Sequence, residues 1–172
     1  MANKNSSTEN LDHSLNIAYD HLNLWAQSIE NTNLLAKAFG NRFDRDISKT
    51  LIQNWQEKNF TEFPNLEIVS ASEINNAKGA YAKSDRTIYL AQELLDEANN
   101  ESIAAIILEE YGHHLDTLLN QVDTPGDEGA IFSALIRGKE LAPEQLFSMA
   151  KLNLISPTME ILTMTGLKVK QH

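Results

Sequence analysis

Cysteine is absent from all 172 residues, which excludes disulfides, thiolate nucleophiles and sulfur-ligated metal sites. Basic residues are scarce: 14 Lys and Arg stand against 24 Asp and Glu, leaving a formal net charge of −10. Phosphate recognition depends on Lys and Arg, and no basic cluster occurs, so a nucleic-acid partner is not expected. The same acidity argues against docking on an anionic membrane. The longest wholly apolar run, IAAIIL at 103–108, is far too short to span a bilayer. The opening MANKNSSTEN lacks the apolar stretch of a secretory signal, which by itself points to the cytoplasm. No internal repeat or low-complexity segment is visible.

What remains is an ordinary globular composition, with 42% hydrophobic and 22% charged residues, in a chain of one-domain length. Residues 1–10 read as a disordered tail, followed by one domain over 11–172 with a helical N-terminal part (11–60) and a motif-bearing part (61–172). Leu11, Leu15, Ala18, Leu22, Trp25 and Ile29 recur at alternating spacings of four and three, the period of an amphipathic helix. A second helix over about 33–39 should stop at Gly40, and Ile47, Leu51, Ile52 and Trp55 mark a third. LEIVS (66–70) and GAYAKSDRTIYL (79–90) read as strands, the latter as two around a Ser-Asp turn. AQELLDEA reads as a short helix, and Asn100 as the N-cap of a long one reaching about Asn120. DEGAIFSALIR should form a helix ending at Gly138, and Pro143 can start another, to about Lys151. The tail LNLISPTMEILTMTGLKVK looks like two or three short strands. Helices with a small interposed sheet make the fold class α+β.

Chemistry concentrates in LEEYGHHLD, Leu108 to Asp116, where five ionisable groups follow the apolar run directly. At about 100° per residue, Glu109, His113 (about 40° away) and Asp116 (about −20°) share one stripe of the helix. Ala104, Ile107, Leu108, Tyr111, Leu115 and Leu118 occupy the opposite, core-facing side. Glu110 lies beside His113 and close to His114. Side chains at i and i+4 can converge on one ion, with an intervening glutamate free to work on a water held there. Each residue also has an ordinary reading. Glu109 and His113 suit a surface ion pair, and Asp116 a solvated position. His114 suits a plain histidine, Asp127 an N-cap, and Glu128 a first-turn acid favoured by the helix dipole.

The order of motifs resembles a zincin-type metallopeptidase domain. ILEEYGHHLD is similar to the active helix of those enzymes, HExGHxxD, with glutamate in place of the first histidine. GAYAKSDRTIYL resembles the strand that holds substrate in extended form beside the metal, and DEGAIFSALI the following helix that supplies a third ligand. More closely, EIVSASEIN, GAYA…TIYL, LEEYGHHLD and DTPGDEGAIFSALIRG in this order resemble a peptidase-like domain of large, mostly cyanobacterial proteins with hemolysin-type calcium-binding repeats. Those repeats are not present here.

The resemblance implies a zincin-like fold with an edge strand beside the active helix and one divalent metal. Zinc comes first; manganese, iron or calcium is compatible with the oxygen-rich donors. It assigns Glu109, His113 and Glu128 as ligands, with Asp127 competing for the third place, and Glu110 as the base that activates a water for peptide hydrolysis. Asp116 would orient His113, and His114 would donate to an oxyanion. The partner would be an extended peptide or protein, paired along TIYL. Two anionic ligands acidify a water less than a standard zinc site does, so a catalytically silent metal- or protein-binding module is the rival reading. The resemblance also allows signal-free secretion.

Overall fold

The computed structural model, which describes residues 4–28, 31–122 and 127–149, is α+β, with a small three-stranded mixed sheet among its helices. The helix α1 runs from Lys4 to Ala26, α2 from Asn31 to Phe39 and α3 from Arg45 to Gln56. Strand β1 covers Asn65–Val69, a 3-10 turn Ala71–Ile74, β2 Gly79–Ala82 and β3 Thr87–Ala91. Helices α4 (Gln92–Glu97), α5 (Asn100–Leu119) and α6 (Glu128–Ile136) follow, and residues 143–149 are helical as well. The expected strands in the C-terminal tail, and Ile29, lie outside the described residues.

The first helix begins seven residues before the apolar period does, so residues 4–10 are helix and not tail. Tertiary hydrogen bonds explain why periodicity misses this. The Gln92 Nε2 donates to Ser7 Oγ at 2.7 Å, and Asn10 Nδ2 donates to the Leu95 carbonyl at 3.2 Å. Polar side chains thus tie the first turns to α4. Elsewhere the local signals act as expected. Gly40 and Gly138 end α2 and α6 at φ +76° and +74°, a left-handed conformation that costs glycine little. The long helix is capped by Asn99, one residue before Asn100, through Asn99 Oδ1 accepting from Ser102 N at 2.9 Å.

The sheet order is β1-β3-β2, with β1 parallel and β2 antiparallel to β3. Consequently TIYL, within β3, is the central strand, hydrogen-bonded on both sides. It has no free edge for a substrate, contrary to the expectation, and the edge facing the long helix belongs to GAYA in β2. The core is built on α5, where Ile103, Ala104, Ile107, Leu108, Tyr111, Leu115 and Leu119 are buried. Trp55 of α3 donates to the Tyr111 hydroxyl at 3.2 Å inside this core. α1, α3, α6 and the sheet all pack on α5, so it has no fully solvated face. Leu118 is only half-buried, while Asp116, placed by the helical wheel on the solvent side, is 3% exposed.

Candidate metal centre

Helices α5 and α6 meet glycine to glycine. A Cβ on Gly112 would fall 2.8 Å from Gly129 Cα, and one on Gly129 would fall 2.5 Å from the Glu109 carbonyl oxygen and 2.7 Å from His113 Nε2. Only the absence of both side chains lets the start of α6 come this close to the middle of α5. The approach carries Asp127 and Glu128, at the N-terminus of α6, to the Glu109–His113 stripe.

One ligand atom each from Glu109, His113 and Asp127 lies within 4.8 Å of the others, and all three residues are half-buried. Asp127 is also the N-cap, its Oδ1 accepting from Ala130 N at 3.2 Å. Its ordinary and its chemical readings are therefore compatible. Glu128 is placed differently from the expectation: its Oε1 meets His113 Nδ1 at 2.8 Å. Asp127 thus stands in the cluster as the third group, and Glu128 orients the imidazole, the task expected of Asp116. Asp116 itself accepts from Asn120 Nδ2 at 2.6 Å near the C-terminal end of α5.

The electrostatics follow from crowding acids in partial shelter. Burial, reinforced by the Asp127 charge, raises the Glu109 pKa, while His113, Arg137 and Lys78 pull it back. Burial alone would lower the pKa of His113. The Glu128 hydrogen bond and the charges of Glu110, Glu128 and Asp127 outweigh it and raise His113 to about 9. Without a metal, a proton on His113 supplies the positive charge that this group of carboxylates favours.

The next stripe of α5 faces β2. Glu110 is 8% exposed, and burial lifts its carboxyl to about 7 despite a hydrogen bond from the Tyr81 backbone N–H. Ala91 N donates to the Lys78 carbonyl across the hairpin. Antiparallel alternation then turns the backbone groups of Gly79 and Tyr81 away from β3, which suits the Tyr81 bond to Glu110. Gly79 has to be small here, since a Cβ would fall 2.8 Å from Ile106 Cγ2 and 3.0 Å from Glu110 Cγ. His114 is 1% exposed, its Nδ1 meets the Tyr81 hydroxyl at 2.8 Å and its Nε2 is unpartnered. Burial, helped by Arg86, lowers it to about 4. The ring is therefore buried and neutral, packed against Tyr81 and Tyr111.

Sequence reading passed over Gly112, Gly129, Gly79 and Tyr81, all of which shape the site. Glycine within an otherwise strongly helical stretch was the available signal for the first two. No family model, curated protein or solved structure matches the chain.

Proposed function

We propose that the chain is a metal-dependent peptidase in which Glu109, His113 and Asp127 hold one divalent cation. The convergence of these three groups within 4.8 Å carries the reading. That spacing suits a single ion, because two bonds to zinc reach about 4.2 Å end to end and two to calcium about 5 Å. With Nδ1 held by Glu128, Nε2 is the imidazole nitrogen left for the ion, and carboxylate support of this kind is usual for a ligating histidine. Zinc is the first candidate, with manganese, iron or calcium compatible with two carboxylates among the ligands.

Bound there, the cation would supply Lewis-acid polarisation of a carbonyl and acidification of a water. The chain supplies the proton traffic. Glu110, near 7, is matched to taking a proton and returning it at neutral pH. The outward edge of β2, beside Glu110, is the strand on which an extended peptide would pair.

A second reading, a metal-dependent binding module without turnover, is favoured by the 8% exposure of Glu110, which leaves the base little access. Metal content by mass spectrometry, on protein purified without chelator or tag, tests the centre. About one ion per chain is expected, lost in Glu109→Ala and Asp127→Ala. No ion in the parent after supplementing with zinc, manganese and calcium would sink both readings. Glu110→Gln separates them: a peptidase keeps its ion and loses cleavage of a peptide library, whereas a binding module has no cleavage to lose.

A further inference from the structure

A groove of about 420 Å³ opens one turn N-terminal of Glu109, lined in part by Lys78, Glu101, Ser102, Ala105, Ile106 and Arg137. Its floor continues the Glu109 stripe of α5, since Ala105 and Ser102 precede Glu109 by four and seven residues on the same side of the helix. Lys78 stands just before β2, and Arg137 just after α6. Both cations act electrostatically on Glu109, which places the groove next to the metal centre.

The charge of this groove runs against that of the molecule. In a chain of net charge −10, two cations line the groove against one acid, Glu101, which acts on Arg137 together with Glu109 beyond the lining and also meets His21 Nε2 at 3.3 Å. Arg137 is held by its Nε, which donates to the carbonyl and hydroxyl oxygens of Ser133 at 3.1 and 3.3 Å. Ser133 is in turn anchored by donating to the Ala105 carbonyl at 2.7 Å. Among the described residues, no hydrogen bond or ion pair engages the Arg137 Nη nitrogens or the Lys78 ammonium. A held guanidinium fork with free Nη donors, beside an unengaged ammonium, suits a carboxylate.

We propose that this groove is a carboxylate-binding subsite in which Lys78 and Arg137 hold a carboxylate of the peptide two to three residues from the bond cleaved. The distance follows from the helix: Ala105 and Ser102 lie about 6 and 10 Å along the axis from Glu109, and an extended peptide advances about 3.3 Å per residue. The position of the cleaved bond rests on the peptidase reading; the anion site does not.

The test is a ¹⁵N NMR titration of the metal-free full chain with three probes: acetyl-trialanine as free acid, its amide, and acetyl-Glu-Ala-Ala amide. At least one carboxylate probe should bind about tenfold more tightly than acetyl-trialanine amide, the scale of one charge-assisted hydrogen bond. Arg137→Gln and Lys78→Gln should each erase most of that preference, with the rest of the spectrum showing that both variants fold. Preference for the free acid assigns the subsite to a chain terminus, and preference for the glutamyl amide assigns it to an acidic side chain. Equal binding of all three probes, or a preference that survives Arg137→Gln, overturns the proposal. Because the titration uses metal-free protein, a chain that takes up no ion yet prefers a carboxylate would retain the subsite while the peptidase reading falls.

Discussion

Glu109 with His113, and Glu110 with His114, are the same pair of residue types at the same spacing, displaced by one position along α5. Their surroundings make them opposites. The first pair faces α6, stays half-exposed and collects Asp127 and Glu128, so His113 rises to about 9. In the second, which faces β2, burial is the largest cause: it lifts Glu110 to about 7 against the pull of His113 and, with Arg86, lowers His114 to about 4. Two adjacent histidines thus differ by several units because one meets carboxylates and the other meets tyrosines. Residue type and spacing nominate a site; the packing partner decides which chemistry it can perform.

A pair of alanine variants should separate the two faces most clearly. His114 is enclosed, stacked on Tyr111 at 5.9 Å between ring centroids and bonded to the Tyr81 hydroxyl. His114→Ala removes that packing and leaves the Tyr81 hydroxyl without this partner, at a cost of about 3 kcal/mol. The His113 side chain is 32% exposed, and His113→Ala in metal-free protein should cost about 1 kcal/mol or less. Urea denaturation of both variants checks this. Equal losses would mean that the two faces of α5 are not the different environments described above. Metal uptake should show the reverse order, abolished by His113→Ala and retained by a folded His114→Ala.

A smaller loss is expected from Gly129→Ala. Alanine gains about 1 kcal/mol in helix propensity, but its Cβ would meet the Glu109 carbonyl oxygen at 2.5 Å. Backbone cannot yield cheaply, and overpacking of this kind costs up to about 3 kcal/mol, leaving a net loss of about 2. The effect should stay on one side. The His113 titration should drop from about 9 toward its ordinary range as α6 is pushed away, while His114 stays near 4. Imidazole NMR reads both, and a parallel shift of the two would show that the faces are coupled.

Much of the fold was legible because short-range signals agreed with it. Asn99 beside the expected Asn100, Gly40 and Gly138 at helix ends, and the Ser-Asp turn between β2 and β3 all act locally. The extension of α1 to Lys4 was not legible, since Ser7 and Asn10 find their partners some eighty residues away in α4. The cluster was legible as far as one helix could carry it: Glu109 and His113 converge through the i,i+4 rule alone. The choice between Asp127 and Glu128 depended on how closely α6 approaches α5, which the Gly112–Gly129 contact permits. Asp116 was misplaced for a related reason. A helical wheel knows one buried side, whereas α5 is covered by helices and sheet together.

The smallest expected effect is a slope of stability with pH in metal-free protein, and its sign separates the two faces. His113, raised to about 9, contributes stability that is complete below its unfolded value of about 6.5 and disappears as pH rises toward 9. Glu110, raised to about 7, likewise loses its contribution as pH rises, between about 4.5 and 7. His114, lowered to about 4, behaves oppositely and loses its contribution as pH falls from about 6.5. Over the interval from about 4.5 to 6.5, Glu110 and His114 therefore offset one another, and the β2 face should give little net slope. Above 6.5 the decline belongs mainly to His113. Discounted for solvent screening, it should amount to about 1 kcal/mol, or a fall in Tm of about 2–4 °C for a chain of this size. Thermal melts between pH 6.5 and 9 in chelator should show this fall in the parent and a flatter profile in His113→Asn. A parent that holds its Tm across the interval would contradict the protonated His113. Saturating zinc should also flatten the profile, because cation and proton compete for the same imidazole and the ion supplies the positive charge that the proton otherwise provides.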